Sequence, residues 1–114
     1  MTPRGAPEWV PVCSYDRLQP ERGVAALVGD RQVALFRTFD GMLYAVDNQD
    51  PYTGQFVLSR GIVGTAGDAP TVASPLFKQA FDLRTGACVG DPDVSVAAHE
   101  VRRSGDTVEV RLSS

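Results

Sequence analysis

No apolar run in this chain lasts more than a few residues before a turn dipeptide breaks it, and the apolar positions are rich in Val. Such a pattern excludes long amphipathic helices and specifies short antiparallel strands. The clearest case is Thr107-Val108-Glu109-Val110-Arg111-Leu112, where period-two alternation puts Val108, Val110 and Leu112 toward a core and Glu109 and Arg111 toward water. Residues 98–103 precede it across Ser104-Gly105-Asp106, a hairpin connection. Residues 24–28 and 31–39 form a second hairpin through Gly29-Asp30, and Asp40-Gly41 leads into a third strand at 42–47. Residues 9–13 read as an edge strand, because Pro11 has no N–H to give a ladder. Residues 14–18 read as one helical turn, and strands at 71–74 and 79–83 turn back at Thr85-Gly86. The fold class is all-β.

The alternation stops after residue 47. From 48 to 70 the chain carries glycines at 54, 61, 64 and 67 and prolines at 51 and 70. A loop longer than about 12–15 residues in a small domain is usually functional or disordered. Val57, Leu58, Ile62 and Val63 give this one apolar anchors, which predicts an ordered loop and a candidate recognition surface.

At 114 residues the chain is read as a single domain, 1–114, with its core over 9–112. The formal charge is −3 and the only adjacent basic pair is Arg102-Arg103, whose side chains point to opposite faces of a strand. Nucleic-acid binding needs clustered cations, so it is not expected. No stretch has the apolar length of a signal peptide core or a membrane span, and the expected location is the cytoplasm. Cys13 and Cys88 stand far apart and outside any C-x-x-C, as small apolar side chains in a reducing compartment do.

Familiar catalytic and phosphate-binding motifs are missing: G-x-x-x-x-G-K-S/T, G-x-G-x-x-G before a helix, G-x-S-x-G and H-E-x-x-H do not occur. The single histidine, His99, has no Cys, Asp or Ser spaced to suggest a triad. Asp47 with Asp50, and Asp91 with Asp93, are close in sequence, but their Asp-Pro contexts favour turns over an acid–base pair. No catalytic residue is expected.

Two segments carry a resemblance to a known family. Residues 72–86, V-A-S-P-L-F-K-Q-A-F-D-L-R-T-G, resemble the second cluster loop of Rieske ferredoxins, where a C-P-x-H quartet precedes an aromatic residue and a D-x-x-T-G turn. Asn48-Gln49-Asp50 stands where such proteins carry C-x-H. A Rieske centre takes two thiolates on one iron and two imidazoles on the other. Here those four positions hold Asn48, Asp50, Ser74 and Phe77, so the resemblance implies a Rieske-like β-sandwich or barrel with degenerate cluster-binding loops. Phe77 is expected to fill apolar space, Asn48 and Ser74 to make local backbone hydrogen bonds, and Asp50 to sit in a turn before Pro51.

Together with G-V-A-A-L-V at 23–28, Q-V-A-L-F-R at 32–37, N-Q-D-P-Y at 48–52, L-S-R-G-I-V-G at 58–64 and A-S-P-L-F-K-Q at 73–79, these segments make the chain similar to the small-subunit family of the assimilatory NAD(P)H-dependent nitrite reductases. That similarity implies a large-subunit partner carrying FAD, an iron–sulfur cluster and siroheme, and no cofactor or metal in this chain. Because the 48–70 excursion and the 74–78 loop keep their frame without metal ligands, they are expected to serve as a docking face, with Asp50, Tyr52, Phe77 and Lys78 as candidate contacts. The alternative is an adaptor or regulatory module for another oxidoreductase, since a fold does not dictate its use.

Overall fold

A computed structural model describes residues 8–76 and 78–113. Eleven strands are named in it: β1 Val10–Ser14, β2 Gly23–Val28, β3 Arg31–Arg37, β4 Leu43–Asp47, β5 Ile62–Ala66, β6 Ala69–Ala73, β7 Ala80–Asp82, β8 Ala87–Cys88, β9 Asp91–Ser95, β10 Ala98–Ser104 and β11 Thr107–Arg111. Single 3-10 turns occupy Tyr15–Arg17 and Leu58–Arg60. One sheet runs in the order β1-β11-β10-β4-β3-β2, the other in the order β5-β6-β7-β8-β9. Strand β10 makes the corner of the larger sheet: its first residues pair with β4 and the rest pair with β11. The result is a nearly closed barrel carrying the smaller sheet. Among the described residues, no helix is long and apolar enough to cross a membrane.

Strand β3 shows why two cores form. Val33, Ala34, Leu35 and Phe36 are all buried, although successive side chains of a strand point to opposite faces. Both faces of β3 are therefore covered. Val33 and Leu35 pack with Tyr15, Leu18, Val28, Ala45, Val108 and Val110 inside the barrel. Ala34 and Phe36 pack on the other side with Val46, Leu58, Val72, Phe81 and Leu83, toward the smaller sheet. Each such Val, Leu or Phe side chain removed from water stabilises the fold by roughly 1.5–3 kcal/mol.

The exposed side of the barrel follows the opposite rule. Arg102 pairs with Glu109 at 2.7 Å and Arg111 with Glu100 at 2.5 Å, and both guanidinium groups lie over the Trp9 ring, at 4.1 and 4.8 Å from its centroid. Arg103 turns to the other face and covers the Tyr15 ring at 3.9 Å. The two adjacent arginines thus point apart, and each stacks on an aromatic ring. Pro11 lies in edge strand β1, opposite Glu109 and beside a register shift, as its missing N–H requires.

The structure corrects the sequence reading in three places. The excursion from residue 48 is shorter than 48–70, because 62–66 is strand β5, joined to β6 by a tight turn at Gly67-Asp68 and paired from Ile62↔Ala73 to Ala66↔Ala69. Within it Ile62 is exposed and anchors nothing, while Leu58 and Val63 do pack on the core. Asp91 and Asp93 lie in β9, a strand whose charged and proline-containing sequence gives no alternation to read.

Candidate functional site

The site is the end of the smaller sheet where residues 48–61, between β4 and β5, meet residues 74–79, between β6 and β7. Two glycines seat the first loop against the body. A Cβ on Gly23 would stand 2.2 Å from the Ser59 carbonyl oxygen, and one on Gly61 would stand 2.4 Å from that of Ala73, so only glycine permits these approaches. Leu58 is buried in the core beneath, and its N–H bonds the Asn48 carbonyl at 3.0 Å, closing the base of the loop.

Three of the four positions that the resemblance sets against Rieske ligands are found inside the protein, satisfied by one another, by backbone and by Gln32. Asn48 Oδ1 accepts the Ser59 N–H at 2.7 Å, and its Nδ2 donates to Gln32 Oε1 at 3.3 Å. Asp50 is 0% exposed. Its Oδ1 accepts the Tyr52 N–H at 2.8 Å, and its Oδ2 accepts the Ser74 hydroxyl at 2.6 Å. Ser74 Oγ in turn accepts the Leu76 N–H at 3.3 Å. Each loop is also closed by its own main chain: Gly54 N–H to Asp50 O, Asp50 N–H to Gln55 O, Lys78 N–H to Ser74 O and Ser74 N–H to Gln79 O. A buried carboxylate is costly without such donors, and a hydrogen bond to a charged group contributes about 1.5–3 kcal/mol. The Asp50–Ser74 bond therefore clasps the two loops together where a cluster would otherwise join them.

These residues do not fit a Rieske centre. Asn48 has both ends of its amide engaged, Asp50 and Ser74 are bonded to each other, and none of the three is a thiolate or an imidazole. The fourth position, Phe77, lies outside the described residues; as a phenylalanine it has no lone pair to offer. Among the described residues, no group of three His, Cys, Asp or Glu side chains is placed to hold a metal ion.

Outside the clasp, three large apolar side chains are exposed among polar neighbours such as Gln49, Gln55 and Arg60. Tyr52 is 40%, Phe56 49% and Leu76 45% exposed, and Lys78 is exposed with a φ of 61°, a left-handed conformation rare for a side chain of this kind. Of the sequence-based docking candidates, Tyr52 and Lys78 are on this surface and Asp50 is beneath it. Phe56 and Leu76 were not expected there; an exposed aromatic beside a glycine-rich turn was the only available signal. The Tyr52 hydroxyl reaches back to the body, 3.0 Å from Asp91 Oδ2 and 3.4 Å from Cys88 Sγ. The Cys88 contact first, then desolvation and Asp91, push this phenol well above the ordinary tyrosine range, so it stays protonated and able to donate.

A second cluster lies at the root of the first loop. His99, with its side chain wholly buried, places Nε2 2.7 Å from Asp47 Oδ1, and the Ser113 N–H donates to Nδ1 at 3.1 Å. Because Nδ1 accepts, Nε2 carries the proton and donates to Asp47. Arg31 holds the same carboxylate with two nitrogens, at 3.2 and 2.9 Å. Burial raises the Asp47 carboxyl, but the Arg31 and His99 hydrogen bonds outweigh it and leave it below the usual range. Asp and Ser partners for His99 thus exist, though spacing could not show them. The ring nitrogen facing Ser113 is taken by a backbone N–H, and the ensemble ties β4, β10 and the segment after β11 together.

Residues 8–111 match the family model of the Rieske-like [2Fe-2S] domain. The NADH nitrite reductase small subunit of Escherichia coli (strain K12) is 41% identical over 105 residues, which covers 91% of this chain and 97% of that protein. The chain belongs to the Rieske-like small-subunit family of the nitrite reductases. A crystal structure of an NADH-dependent nitrite reductase small subunit from Mycobacterium tuberculosis superposes with a TM-score of 0.91 at 45% identity, covering 95% of this chain and 97% of that one. A segment of the nitrite reductase [NAD(P)H] large subunit of Klebsiella oxytoca is 42% identical over 94 residues, covering 82% of this chain and 10% of that protein. The nitrite reductase small-subunit family and the Rieske-like β fold expected from the sequence are both borne out.

Proposed function

We propose that this chain is the small subunit of an NAD(P)H-dependent nitrite reductase and docks on the large subunit through the tip formed by residues 48–61 and 74–79. In this reading the large subunit carries FAD, an iron–sulfur cluster and siroheme and reduces nitrite to ammonium. The small chain supplies shape and surface, and none of its residues is assigned a catalytic step. Its work is in the cytoplasm, in nitrate assimilation.

The observation that carries the proposal is the polarity of the tip. Tyr52, Phe56 and Leu76 present apolar area to solvent, above polar groups that are fully engaged with one another. Exposed apolar groups held on an ordered loop are what a partner's surface buries. Lys78, and Phe77 by its sequence position, complete the proposed face, and Asp50 acts from beneath by holding the loops in place. The Klebsiella oxytoca large subunit supports the partnership, because it contains a domain similar to this one within its own chain.

The test is a binding titration against the purified large subunit, with nitrite-dependent NAD(P)H oxidation followed in parallel. Phe56→Ser with Leu76→Ser should weaken binding about tenfold or more while the melting temperature holds, as expected for central contacts of an interface. Unchanged affinity in a folded double variant would place the docking face elsewhere.

A further inference from the structure

The loop that carries Tyr52 is held at two levels. Beneath, Asp50 bonds Ser74; above, the Tyr52 hydroxyl spans to the smaller sheet, between the carboxylate of Asp91 and the thiol of Cys88. Cys88 is buried in β8, packed with Phe81 and Leu83. The Tyr52 ring lies close to Phe81, centroid to centroid 6.4 Å, and its hydroxyl, 3.4 Å from the sulfur, stands nearer than the Val89 carbonyl, which the thiol approaches at 3.7 Å. The clasp below is a bond between buried groups, whereas this outer link joins a part-exposed phenol to a part-exposed carboxylate. Hydrogen bonds at the surface open locally at far lower cost than those of a core.

We infer that Tyr52 is a positioning residue, a pin whose hydroxyl closes the outer loop over Cys88, so that the thiol is a buried group exposed only when the pin releases. The docking consequence rests on the function proposed above: a partner seated on the tip covers the pinned loop and keeps the thiol closed. Nothing in the pin itself depends on that partner.

The experiment measures alkylation of each cysteine by iodoacetamide, resolved by peptide mass spectrometry on the full chain. Cys13, half-buried in β1 on the larger sheet, is the internal control. Tyr52→Phe keeps the ring and removes the hydroxyl; Asp91→Ala removes the acceptor and leaves Tyr52 intact. Each should raise the Cys88 rate about fivefold, the change in open population that loss of one net hydrogen bond supports, with the Cys13 rate unchanged. An unchanged Cys88 rate in both variants, or an equal rise at Cys13 and Cys88 that reports general unfolding, overturns the pin. Adding the large subunit to the unsubstituted chain should slow alkylation of Cys88 and not of Cys13. If Cys88 responds to Tyr52→Phe and Asp91→Ala but not to the large subunit, the pin stands and the docking reading falls.

Discussion

The β10–β11 face of the barrel and the tip obey opposite rules of polarity. In the wall, Val33, Leu35, Val108 and Val110 face inward, and an ion-paired lattice of Arg102, Glu109, Arg111 and Glu100 faces water around Trp9. At the tip a carboxylate, a hydroxyl and an amide are buried, while Tyr52, Phe56 and Leu76 are half in solvent. The wall needs nothing beyond folding to account for it, since hydrophobic burial and solvated charge are the default. The tip is costly on both sides, because its interior must satisfy every polar group and its exterior leaves apolar area in water. A local arrangement that runs against folding economy points to a use outside folding.

Substitutions on the two sides test that contrast. Leu35→Ala, inside the barrel and away from the tip, should cost about 3–5 kcal/mol in a denaturant titration, as expected for a large buried cavity. Affinity of the remaining folded protein for the large subunit should hold. Ser74→Ala should cost less, about 2–3 kcal/mol, because it leaves the buried Asp50 carboxylate short of a donor. It should also weaken binding to the large subunit, since the loops lose their clasp. A loss of stability with no loss of affinity would show that the tip's interior matters only to folding.

The smallest effect concerns pH. The Asp47 carboxyl is held below the ordinary aspartate value of 3.8, so its contribution to stability is complete above that pH. It is lost as pH falls through the lower folded value, as protonation uncouples the carboxylate from Arg31 and His99. Asp47→Asn should flatten this acid limb of the stability curve, measured by melting temperature between about pH 5 and pH 2. A limb of unchanged steepness would assign acid sensitivity to other carboxylates.

Strands β1 to β4, β6, β7, β10 and β11 were legible in the sequence as short Val-rich or apolar runs between recognisable turns, with clean alternation in β11. Strand β5 was hidden by the glycines at 61, 64 and 67, which read as loop when taken without their partner strand. Strands β8 and β9 are short or carry Asp91-Pro92, so neither period nor composition announces them. At the tip, the resemblance to Rieske loops pointed to Asn48, Asp50 and Ser74; Ser74 accepts a local N–H from Leu76, whereas the Asn48 amide bonds Ser59 and Gln32, distant in sequence. What sequence could not give was direction. Asp50 does open a turn before Pro51, yet whether its carboxylate faces a partner or the interior depends on Ser74, 24 residues away. The Asp47–His99 pair, 52 residues apart, depends likewise on the register of β4 against β10.

The pairing of β1 with β11 sets Val10 against Val110, so the path into the fold and the path out of it run side by side. A unit with adjacent entry and exit can be spliced into a longer polypeptide, or permuted around its circle of strands, without pulling its sheets apart. Modularity of this kind is a property of the wiring, independent of what the tip touches.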